Sequence, residues 1–276
     1  NPGRFHEVLI RGAGFFMCSI VLDAGWFRQP LYRKRLIEGR QRCGYTVGLL
    51  RPRIPGLMSK PLHIIILAAG EGTRMKSNRP KMLQSVGGRS MLTHLLDTAA
   101  ALTGEKIHVV VGSGSEAVQE ACASYPVDWV FQAERRGTGH AVMQAMPGVP
   151  DNADVLVLLG DTPLIPVELL SGMVEAFSGP LSLLTMELED PTGYGRILRD
   201  PGGNIIGVIE HKDAEPHQHA IREVNTGIIM ASADRLRGWL DRIDCNNANQ
   251  EYYLPDIFSL ARAENGEIQG FVAPDA

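Results

Sequence analysis

Residues 62–75 read Leu-His-Ile-Ile-Ile-Leu-Ala-Ala-Gly-Glu-Gly-Thr-Arg-Met, an apolar run that passes directly into a turn of small residues. A buried strand that ends in such a turn brings backbone N–H groups close to an anion, because alanine and glycine leave little side chain in the way. Arg74 and Lys81 add positive charge nearby. The stretch therefore predicts a βα turn that either binds a phosphate chain, such as that of a nucleoside triphosphate, or is a tight turn without a ligand.

The glycine spacing of residues 67–75 differs from two common phosphate-binding motifs. A Walker A loop continues into Gly-Lys-Ser/Thr, and the dinucleotide fingerprint has three glycines in the order Gly-x-Gly-x-x-Gly. Neither pattern is present in this stretch. The spacing therefore disfavours ATP hydrolysis and hydride transfer.

Composition predicts an ordinary globular protein. The 276 residues are 44% hydrophobic and 21% charged, with a net charge of −4, which gives ample chain for one large α/β domain and no overall bias toward nucleic acid. The four cysteines are scattered and form no Cys-x-x-Cys pair. This arrangement favours a reducing, cytoplasmic environment over a disulfide framework or a zinc site.

The first 57 residues differ from the rest, with ten Lys/Arg against three Asp/Glu in a chain that has 27 and 31 overall. The apolar stretch at 12–22 is shorter than the roughly 20 residues that a membrane helix needs. A secretory signal there, or a nucleic-acid arm at the basic run 33–42, is a less favoured alternative. We expect Met58 to be the native start and residues 1–57 to be a non-native or disordered leader, and we expect neither a membrane nor a nucleic acid as partner.

From Leu62 onward, short runs rich in valine, isoleucine and leucine alternate with longer amphipathic segments, which is typical of βαβ units. The pattern predicts a Rossmann-like, mostly parallel sheet with helices on both faces, followed by a smaller antiparallel region laid over the sheet. Predicted strands are 62–67, 107–112, 127–131, 154–160 and 181–186, then 196–199, 204–210 and 221–231, and finally 267–272. Predicted helices are 90–101, 115–123, 138–146, 232–243 and 256–264.

Asp161 follows the apolar run 155–159 in the sequence Gly-Asp-Thr-Pro. Ligands of open parallel sheets bind at the carboxyl ends of the strands, and a carboxylate there suits a hard divalent cation with phosphate oxygens. The alternative is an aspartate that caps a helix or a turn. His211, His217 and His219 lie among charged residues, and we interpret them as a solvated loop in preference to a metal site.

Several further motifs occur in one order along the chain. They are Leu-Ala-Ala-Gly-Glu-Gly-Thr-Arg-Met (67–75), Arg-Pro-Lys (79–81), Gln-Ala-Glu-Arg-Arg-Gly-Thr-Gly-His-Ala (132–141), Leu-Gly-Asp-Thr-Pro-Leu (159–164), Thr-Gly-Tyr-Gly-Arg-Ile (192–197), Val-Ile-Glu-His-Lys-Asp-Ala (208–214), Val-Asn-Thr-Gly (224–227) and Glu-Tyr-Tyr-Leu-Pro-Asp-Ile (251–257). In these motifs the chain resembles the N-acetylglucosamine-1-phosphate uridyltransferase domain of the bifunctional bacterial enzyme that makes UDP-N-acetylglucosamine. The first and fourth motifs are shared by sugar nucleotidyltransferases in general, whereas 137–141, 192–196 and 210–214 are more specific.

The resemblance implies the nucleotide-diphospho-sugar transferase fold and transfer of UMP from UTP to N-acetylglucosamine 1-phosphate, with Mg²⁺ as cofactor. It implies catalytic roles for Arg74, Lys81 and Asp161, with Asp161 as the metal ligand. For UTP it implies the positions Leu67, Ala68, Ala69, Gly70, Lys81, Gln132, Gly137, Thr138, Leu159 and Gly160. For the sugar it implies Gly195, Glu210 and Asn225.

The residue types at these positions suit their implied ligands. Uracil presents an N–H donor between two carbonyl acceptors, which the amide of Gln132 and backbone groups at Gly137 can match. An ionised Glu210 accepts hydrogen bonds from sugar hydroxyls. The alternatives are a surface role for Lys81, Glu210 and Asn225, and a loop end at Gly137 with Thr138 as helix cap. We expect Tyr252 and Tyr253 to pack in the core, with lining of the sugar pocket as the alternative.

Two elements of the family are expected but not found before Ala276: a Gly-Val-Asn element that supplies a second magnesium ligand, and the left-handed β-helix that carries acetyl transfer and trimerisation. We therefore expect a C-terminally truncated transferase domain over 58–276, monomeric, with slow turnover. Two further hypotheses remain open: a nucleotide-sugar-binding module without turnover, and a related transferase for CTP, dTTP or another sugar 1-phosphate.

Overall fold

A computed structural model describes residues 60–70, 77, 79–247, 249–264 and 266–273. Its strands are β1 (Leu62–Leu67), β2 (Ser85–Val86), β3 (Arg89–Ser90), β4 (Ile107–Val111), β5 (Asp128–Phe131), β6 (Asp154–Leu159), β7 (Leu181–Glu187), β8 (Arg196–Arg199), β9 (Ile205–Ile209), β10 (Glu223–Ser232) and β11 (Ile268–Val272). Its α-helices are α1 (Met91–Leu102), α2 (Glu116–Ala121), α3 (Thr138–Ala145), α4 (Val167–Ala176), α5 (Ala233–Leu240) and α6 (Asp256–Ala263). The predictions for the leader 1–57 and for Met58 lie outside the described residues.

One large sheet organises the described chain, with the strand order β11-β7-β10-β6-β1-β4-β5. β1 pairs in parallel with both β4 and β6, and β4 pairs in parallel with β5. Because the chain builds β4 and β5 on one side of β1 and then crosses to β6 on the other, the strand order reverses beside β1. Ligands of such sheets bind at the carboxyl ends of the strands next to this reversal.

Burial on both faces explains the apolar runs of the central strands. Ile64, Ile65 and Ile66 are fully buried, as are the four residues 155–158 of β6. Alternate side chains enter two separate cores, one with Ile65 and Val157 and the other with Ile64 and Leu156. Helices cover both faces, as expected for a parallel sheet whose central strands are nearly continuous runs of apolar residues. Among the described helices, none is long and apolar enough to cross a bilayer.

The predicted fold class is confirmed, and most element boundaries agree to within two or three residues. Two features differ from the prediction. Helix α4 at Val167–Ala176 was not predicted, although Pro166 precedes it and Leu170 and Met173 are buried on one face. The antiparallel region is not a separate layer, because β10 lies within the main sheet between β6 and β7 and also pairs with β8.

Two buried histidines face each other near the starts of β1 and β4, at the end of the sheet opposite to the carboxyl ends of these strands. His63 Nδ1 lies 3.1 Å from His108 Nε2, and the two rings are stacked with centroids 5.4 Å apart. Burial lowers the pKa of both rings below the ordinary 6.5, and for His108 the neighbouring His63 lowers it further. Glu105, Lys106 and Asp128 are the other charged groups acting on the pair. Both rings are therefore neutral in the folded chain near pH 7.

We expect the free energy of unfolding to decrease as the pH falls from about 7.5 to about 5.5. A histidine whose pKa is lowered by folding stabilises the fold above its unfolded pKa, and that contribution is lost as the pH falls through the folded pKa. Urea unfolding at several pH values measures the effect. His63→Val should weaken the pH dependence by removing one of the two lowered pKa values, whereas His217→Asn, at a side chain that is 73% exposed, should leave it unchanged. A pH dependence of undiminished size in the His63→Val variant would contradict this account.

Candidate functional site

The turn after β1 and the end of β6 are joined at the carboxyl edge of the sheet. Leu67 and Leu159 are register partners, and the Gly160 N–H donates to Leu67 O at 2.9 Å. A Cβ added to Gly160 would lie 2.8 Å from Leu67 O, so only glycine fits. The Ala68 N–H donates to Val110 O at 2.8 Å and ties the turn to β4 as well. The structure thus brings together the predicted positions 67–70 and 159–160.

Lys81 and Asp161 meet beside this turn. Lys81 opens a 3₁₀ turn at Lys81–Leu83, and its Nζ donates to Asp161 Oδ2 at 2.6 Å. Their side chains are 11% and 18% exposed, so the pair is only partly open to solvent. Asp161 lies in a turn well before α4, whose N-cap is Pro166, and it is therefore not a helix cap. A charged pair at this edge is suited to binding phosphate groups.

Arg74 lies outside the described residues, but another arginine reaches the turn. Arg135 Nε donates to Ala69 O at 2.7 Å, and its guanidinium lies over Gly112, where an added Cβ would be 2.9 Å from Nη2. The missing side chain at Gly112 makes this approach possible. Arg135 was not predicted to be a site residue. In the sequence it is marked only as one of two arginines directly before the Gly-Thr-Gly motif.

Gln132 follows β5, and its side-chain amide is fixed by the loop that continues from it. The side chain is buried, Nε2 lies 3.2 Å from Gly137 O, and the same nitrogen lies 3.0 Å from His140 Nδ1. Gly137 has a φ of 102°, a backbone conformation that residues other than glycine rarely adopt. Gln132 and Gly137 are therefore neighbours, as their predicted shared role requires.

Gly137 is the N-cap of α3, and the loop is held by the segment that begins at Glu251. The Tyr252 N–H donates to Arg136 O at 2.7 Å, and Tyr252 O accepts from the Gly139 N–H at 2.8 Å. Thr138 is not a helix cap, since its hydroxyl accepts from the Leu254 N–H at 3.1 Å. Arg136 lies over the Tyr252 ring, 5.0 Å from its centroid. Tyr252 thus packs at the edge of the core and also shapes this loop.

The three predicted sugar positions converge where β8, β9 and β10 meet. A Cβ on Gly195 would be 3.4 Å from Glu210 Oε1 and 3.6 Å from Asn225 Cβ, and Asn225 N donates to Gly195 O at 2.9 Å. Asn225 Oδ1 accepts from the Gly227 N–H at 2.8 Å, which leaves Nδ2 as the group that donates to a ligand. Burial raises the pKa of Glu210, and Asp213 raises it further.

Arg196 contacts the residues next to two of these positions, the Tyr194 backbone beside Gly195 and the His211 ring beside Glu210, and it was not predicted from the sequence. Its guanidinium is buried, with Nη1 donating to Tyr194 O and Nη2 lying 3.3 Å from His211 Nδ1. Burial, followed by the negative charge of Asp161, raises the pKa of Tyr194, so these groups lie within electrostatic range of each other. The sugar positions therefore lie on the same side of the molecule as Asp161.

The three clustered histidines do not converge on one point. The rings of His211 and His219 are in edge contact with centroids 4.8 Å apart, whereas His217 pairs with Glu215 at 3.3 Å.

A parallel α/β sheet that carries a small-residue turn, a Lys–Asp pair and a fixed glutamine at its carboxyl edge has the arrangement in which open α/β sheets bind their ligands. Residues 64–192 match the family model of the MobA-like NTP transferase domain. The chain contains a nucleotidyltransferase domain, and over most of its length it is similar to part of the bifunctional GlmU proteins.

Two relatives support this assignment, and a solved structure shares the fold. The chain is 50% identical over 218 residues to bifunctional protein GlmU of Alkalilimnicola ehrlichii, covering 79% of this chain and 47% of the relative. It is 48% identical over 219 residues to bifunctional protein GlmU of Halorhodospira halophila, covering 79% and 46% respectively. The chain thus spans about half the length of these curated relatives. A crystal structure of UDP-glucose pyrophosphorylase complexed with UDP-glucose shares the fold, with a TM-score of 0.62, 16% identity, and coverage of 77% of this chain and 90% of that one.

Proposed function

We propose that the chain transfers UMP from UTP to N-acetylglucosamine 1-phosphate, giving UDP-N-acetylglucosamine and pyrophosphate. The observation that carries this proposal is the Lys81–Asp161 pair at the carboxyl edge of the sheet, directly beside the turn at 67–70. The fixed amide of Gln132 and the cluster formed by Gly195, Glu210 and Asn225 supply base and sugar subsites in the same molecule.

In the proposed complex, backbone groups of residues 67–70 and 159–160 hold the nucleotide. Small side chains there allow close approach, and Lys81 balances the negative charge of the triphosphate. Arg74 is proposed for the same task on the basis of its motif. Arg135 holds the turn in place through Ala69 O, so that the turn is already ordered when the nucleotide arrives.

A divalent cation fits the chemistry of Asp161, and we propose Mg²⁺. Magnesium is commonly bound by one or two carboxylates together with substrate phosphates and water, so a single carboxylate beside a phosphate-binding turn is a suitable donor set. When bound, the ion neutralises the charge of the two phosphate-bearing substrates and draws charge from the leaving group. The ion pair with Lys81 holds the Asp161 carboxylate beside the turn at 67–70.

The sugar subsite offers one acceptor and one donor. Glu210 Oε1 accepts from sugar hydroxyls, and Asn225 Nδ2 donates because its amide oxygen is already engaged by Gly227. The missing side chain at Gly195 leaves room for the ring between these two groups. Arg196 links the Tyr194 backbone beside Gly195 to the His211 ring beside Glu210.

The proposed reaction is a direct in-line displacement. A phosphate oxygen of the sugar 1-phosphate attacks the α-phosphorus of UTP, the bond between the α-phosphorus and its bridging oxygen to the β-phosphorus breaks, and pyrophosphate leaves with that bond's electron pair. The side chains form no covalent bond with substrate. Positioning, together with charge neutralisation by Lys81, Arg74 and the cation that Asp161 would hold, accounts for the rate.

Replacing Gln132 with alanine should weaken the use of UTP by about 1–3 kcal/mol, because the uracil edge loses its partner after it has been desolvated. Most of the loss should appear in the KM for UTP, with little change in the KM for the sugar phosphate. The measurement is steady-state pyrophosphate release with each substrate varied in turn. An unchanged KM for UTP would remove Gln132 from the base subsite.

A panel of substrates tests the proposal as a whole. UTP, dTTP and CTP are each combined with N-acetylglucosamine 1-phosphate and with glucose 1-phosphate, and pyrophosphate release is followed in the presence of Mg²⁺. The pair UTP and N-acetylglucosamine 1-phosphate should react fastest. Equal or faster turnover of another pair would contradict the assignment, and binding of UTP without turnover of any pair would show a binding module. Cytoplasmic location and the monomeric state remain proposals drawn from the sequence.

A further inference from the structure

His140 contacts the residue that we propose to read the base. It lies in the first turn of α3, and its Nδ1 is 3.0 Å from Gln132 Nε2. Gln132 is only 3% exposed, so water cannot replace the contact between its amide and His140 unless the side chain moves. Neither the sequence motifs nor the comparisons assign a role to this histidine.

The neighbours of Gln132 determine which way its amide points. Gly137 O lies 3.2 Å from one end of the amide, and because a backbone carbonyl only accepts, that end must be the NH₂ group. The second hydrogen of the same NH₂ points to His140 Nδ1. Both donors of Gln132 are therefore used within the loop. Within the described part of the chain, no hydrogen bond reaches Gln132 Oε1, so the oxygen is the group that the amide offers to a ligand.

We infer that His140 is a positioning residue that sets the base preference of the nucleotide subsite by holding the Gln132 amide with its oxygen toward the base. The inference rests on the proposed function. An amide oxygen accepts from the N3–H of uracil, whereas cytosine presents an unprotonated N3 whose lone pair repels that oxygen. If the amide turned around, its NH₂ group would favour cytosine. The orientation fixed by His140 therefore selects UTP over CTP.

The ring of His140 is itself held in place. The Tyr252 ring stacks on it with centroids 6.2 Å apart, and the Gln144 amide lies 3.2 Å from His140 Nε2. The backbone bonds from Tyr252 to Arg136 and Gly139 fix the same loop. A neutral ring whose Nδ1 accepts from Gln132 carries its proton on Nε2. Because the Gln144 atom nearest to Nε2 is its amide nitrogen, which also donates, this ring state requires the partly exposed Gln144 amide to turn its oxygen toward that proton.

The charge state of His140 controls this arrangement. Burial, followed by the positive charge of Arg136, lowers the pKa of His140, and Glu134 opposes them. The ring is therefore neutral near pH 7, with the Nδ1 lone pair available. When the pH falls through this lowered pKa, a proton on Nδ1 faces the NH₂ of Gln132, two donors oppose each other, and the amide loses the contact that fixes it.

The test compares one substitution that removes the acceptor near the Nδ1 position with one that keeps it. His140→Phe keeps a ring against Tyr252 but removes the acceptor, whereas His140→Asn places an amide oxygen close to where Nδ1 lies. His217→Asn, at an exposed histidine outside the site, is the control. Dissociation constants of the full chain for UTP and for CTP are measured by calorimetry, with thermal unfolding to confirm that each variant is folded.

We expect the preference for UTP over CTP to fall by about 10-fold in the His140→Phe variant, which is the scale of one lost hydrogen bond to a buried amide. The His140→Asn and His217→Asn variants should retain the preference to within about threefold. In the unaltered chain the preference should decline as the pH is lowered from about 7.5 to about 5.5, and in the His140→Asn variant it should not.

An unchanged preference in a folded His140→Phe variant would overturn the inference, as would a preference in the unaltered chain that does not depend on pH. A purely structural role would weaken UTP and CTP binding equally. Pyrophosphate release by the unaltered chain is assayed in parallel. If it is absent while the base preference responds to His140 as described, the proposed reaction fails and the inference about the base subsite stands.

Discussion

Replacing Asp161 with asparagine should reduce Mg²⁺-dependent pyrophosphate release by about 100-fold or more, the scale on which removal of one charge-stabilising group acts. The substitution keeps the size of the side chain but removes the negative charge that pairs with Lys81 at 2.6 Å. It also removes the carboxylate oxygen that we propose to hold the cation. The pair lies in a partly closed position, so solvent cannot readily replace what is lost.

A matched control is available just before the other end of the same strand. Asp151 precedes β6, is 75% exposed and pairs with Arg237, at the opposite end of this strand from Asp161. Asp151→Asn should leave pyrophosphate release unchanged. UTP binding in the presence and absence of Mg²⁺ supplies a readout that does not depend on turnover, and the difference should vanish in the Asp161→Asn variant. Unaltered activity after Asp161→Asn would remove both the catalytic and the metal role.

Replacing Gly137 with alanine should also reduce turnover by about 100-fold, the cost of displacing a substrate-positioning group by about 1 Å. The φ of 102° strains any residue with a Cβ, and that Cβ would lie 2.4 Å from Tyr252 O. The close contacts of this Cβ are with backbone atoms of Tyr252, which cannot rotate away as a side chain can. The loop that carries Gly137 O must therefore move. The amide of Gln132 then loses one of the two partners that orient it.

The control for this variant is an alanine at a glycine with space around it. Gly238 lies inside α5 with no atom within 4 Å of an added Cβ. Gly238→Ala should leave activity unchanged and raise the free energy of unfolding by up to about 1 kcal/mol, because alanine favours a helix. Steady-state kinetics and urea unfolding measure both variants. A Gly137→Ala variant with normal kinetics would show that this backbone conformation does not position the base.

The sequence predicted best where local pattern determines structure. The apolar runs at 62–67 and 154–160 specify strands buried on both faces, and the alternation of such runs with helical segments favours a parallel sheet. Helix α4 was missed although Pro166 and the buried Leu170 and Met173 carry its signal. The position of β10 inside the sheet could not be predicted, because strand pairing is non-local and the run at 223–232 fits several partners equally well.

The candidate site shows the same division. Motifs identified Lys81, Gln132 and Asp161, and the structure places Lys81 against Asp161 across 80 positions of sequence. The residues that motifs did not identify act through other residues: Arg135 through Ala69 O, Arg196 through Tyr194 O, and His140 through Gln132. These roles depend on contacts between individual atoms of residues that are brought together by the fold. A sequence pattern does not show, for example, which end of the Gln132 amide contacts His140.

The central claim is that a sugar phosphate attacks the α-phosphorus of UTP, and the fate of each phosphorus atom tests it most directly. UTP labelled at either the α or the γ position is incubated with N-acetylglucosamine 1-phosphate, Mg²⁺ and the chain. The account predicts that the α label appears in UDP-N-acetylglucosamine and the γ label in pyrophosphate. Transfer of the γ label to the sugar phosphate, or release of the α label as UMP without a nucleotide sugar, would contradict it.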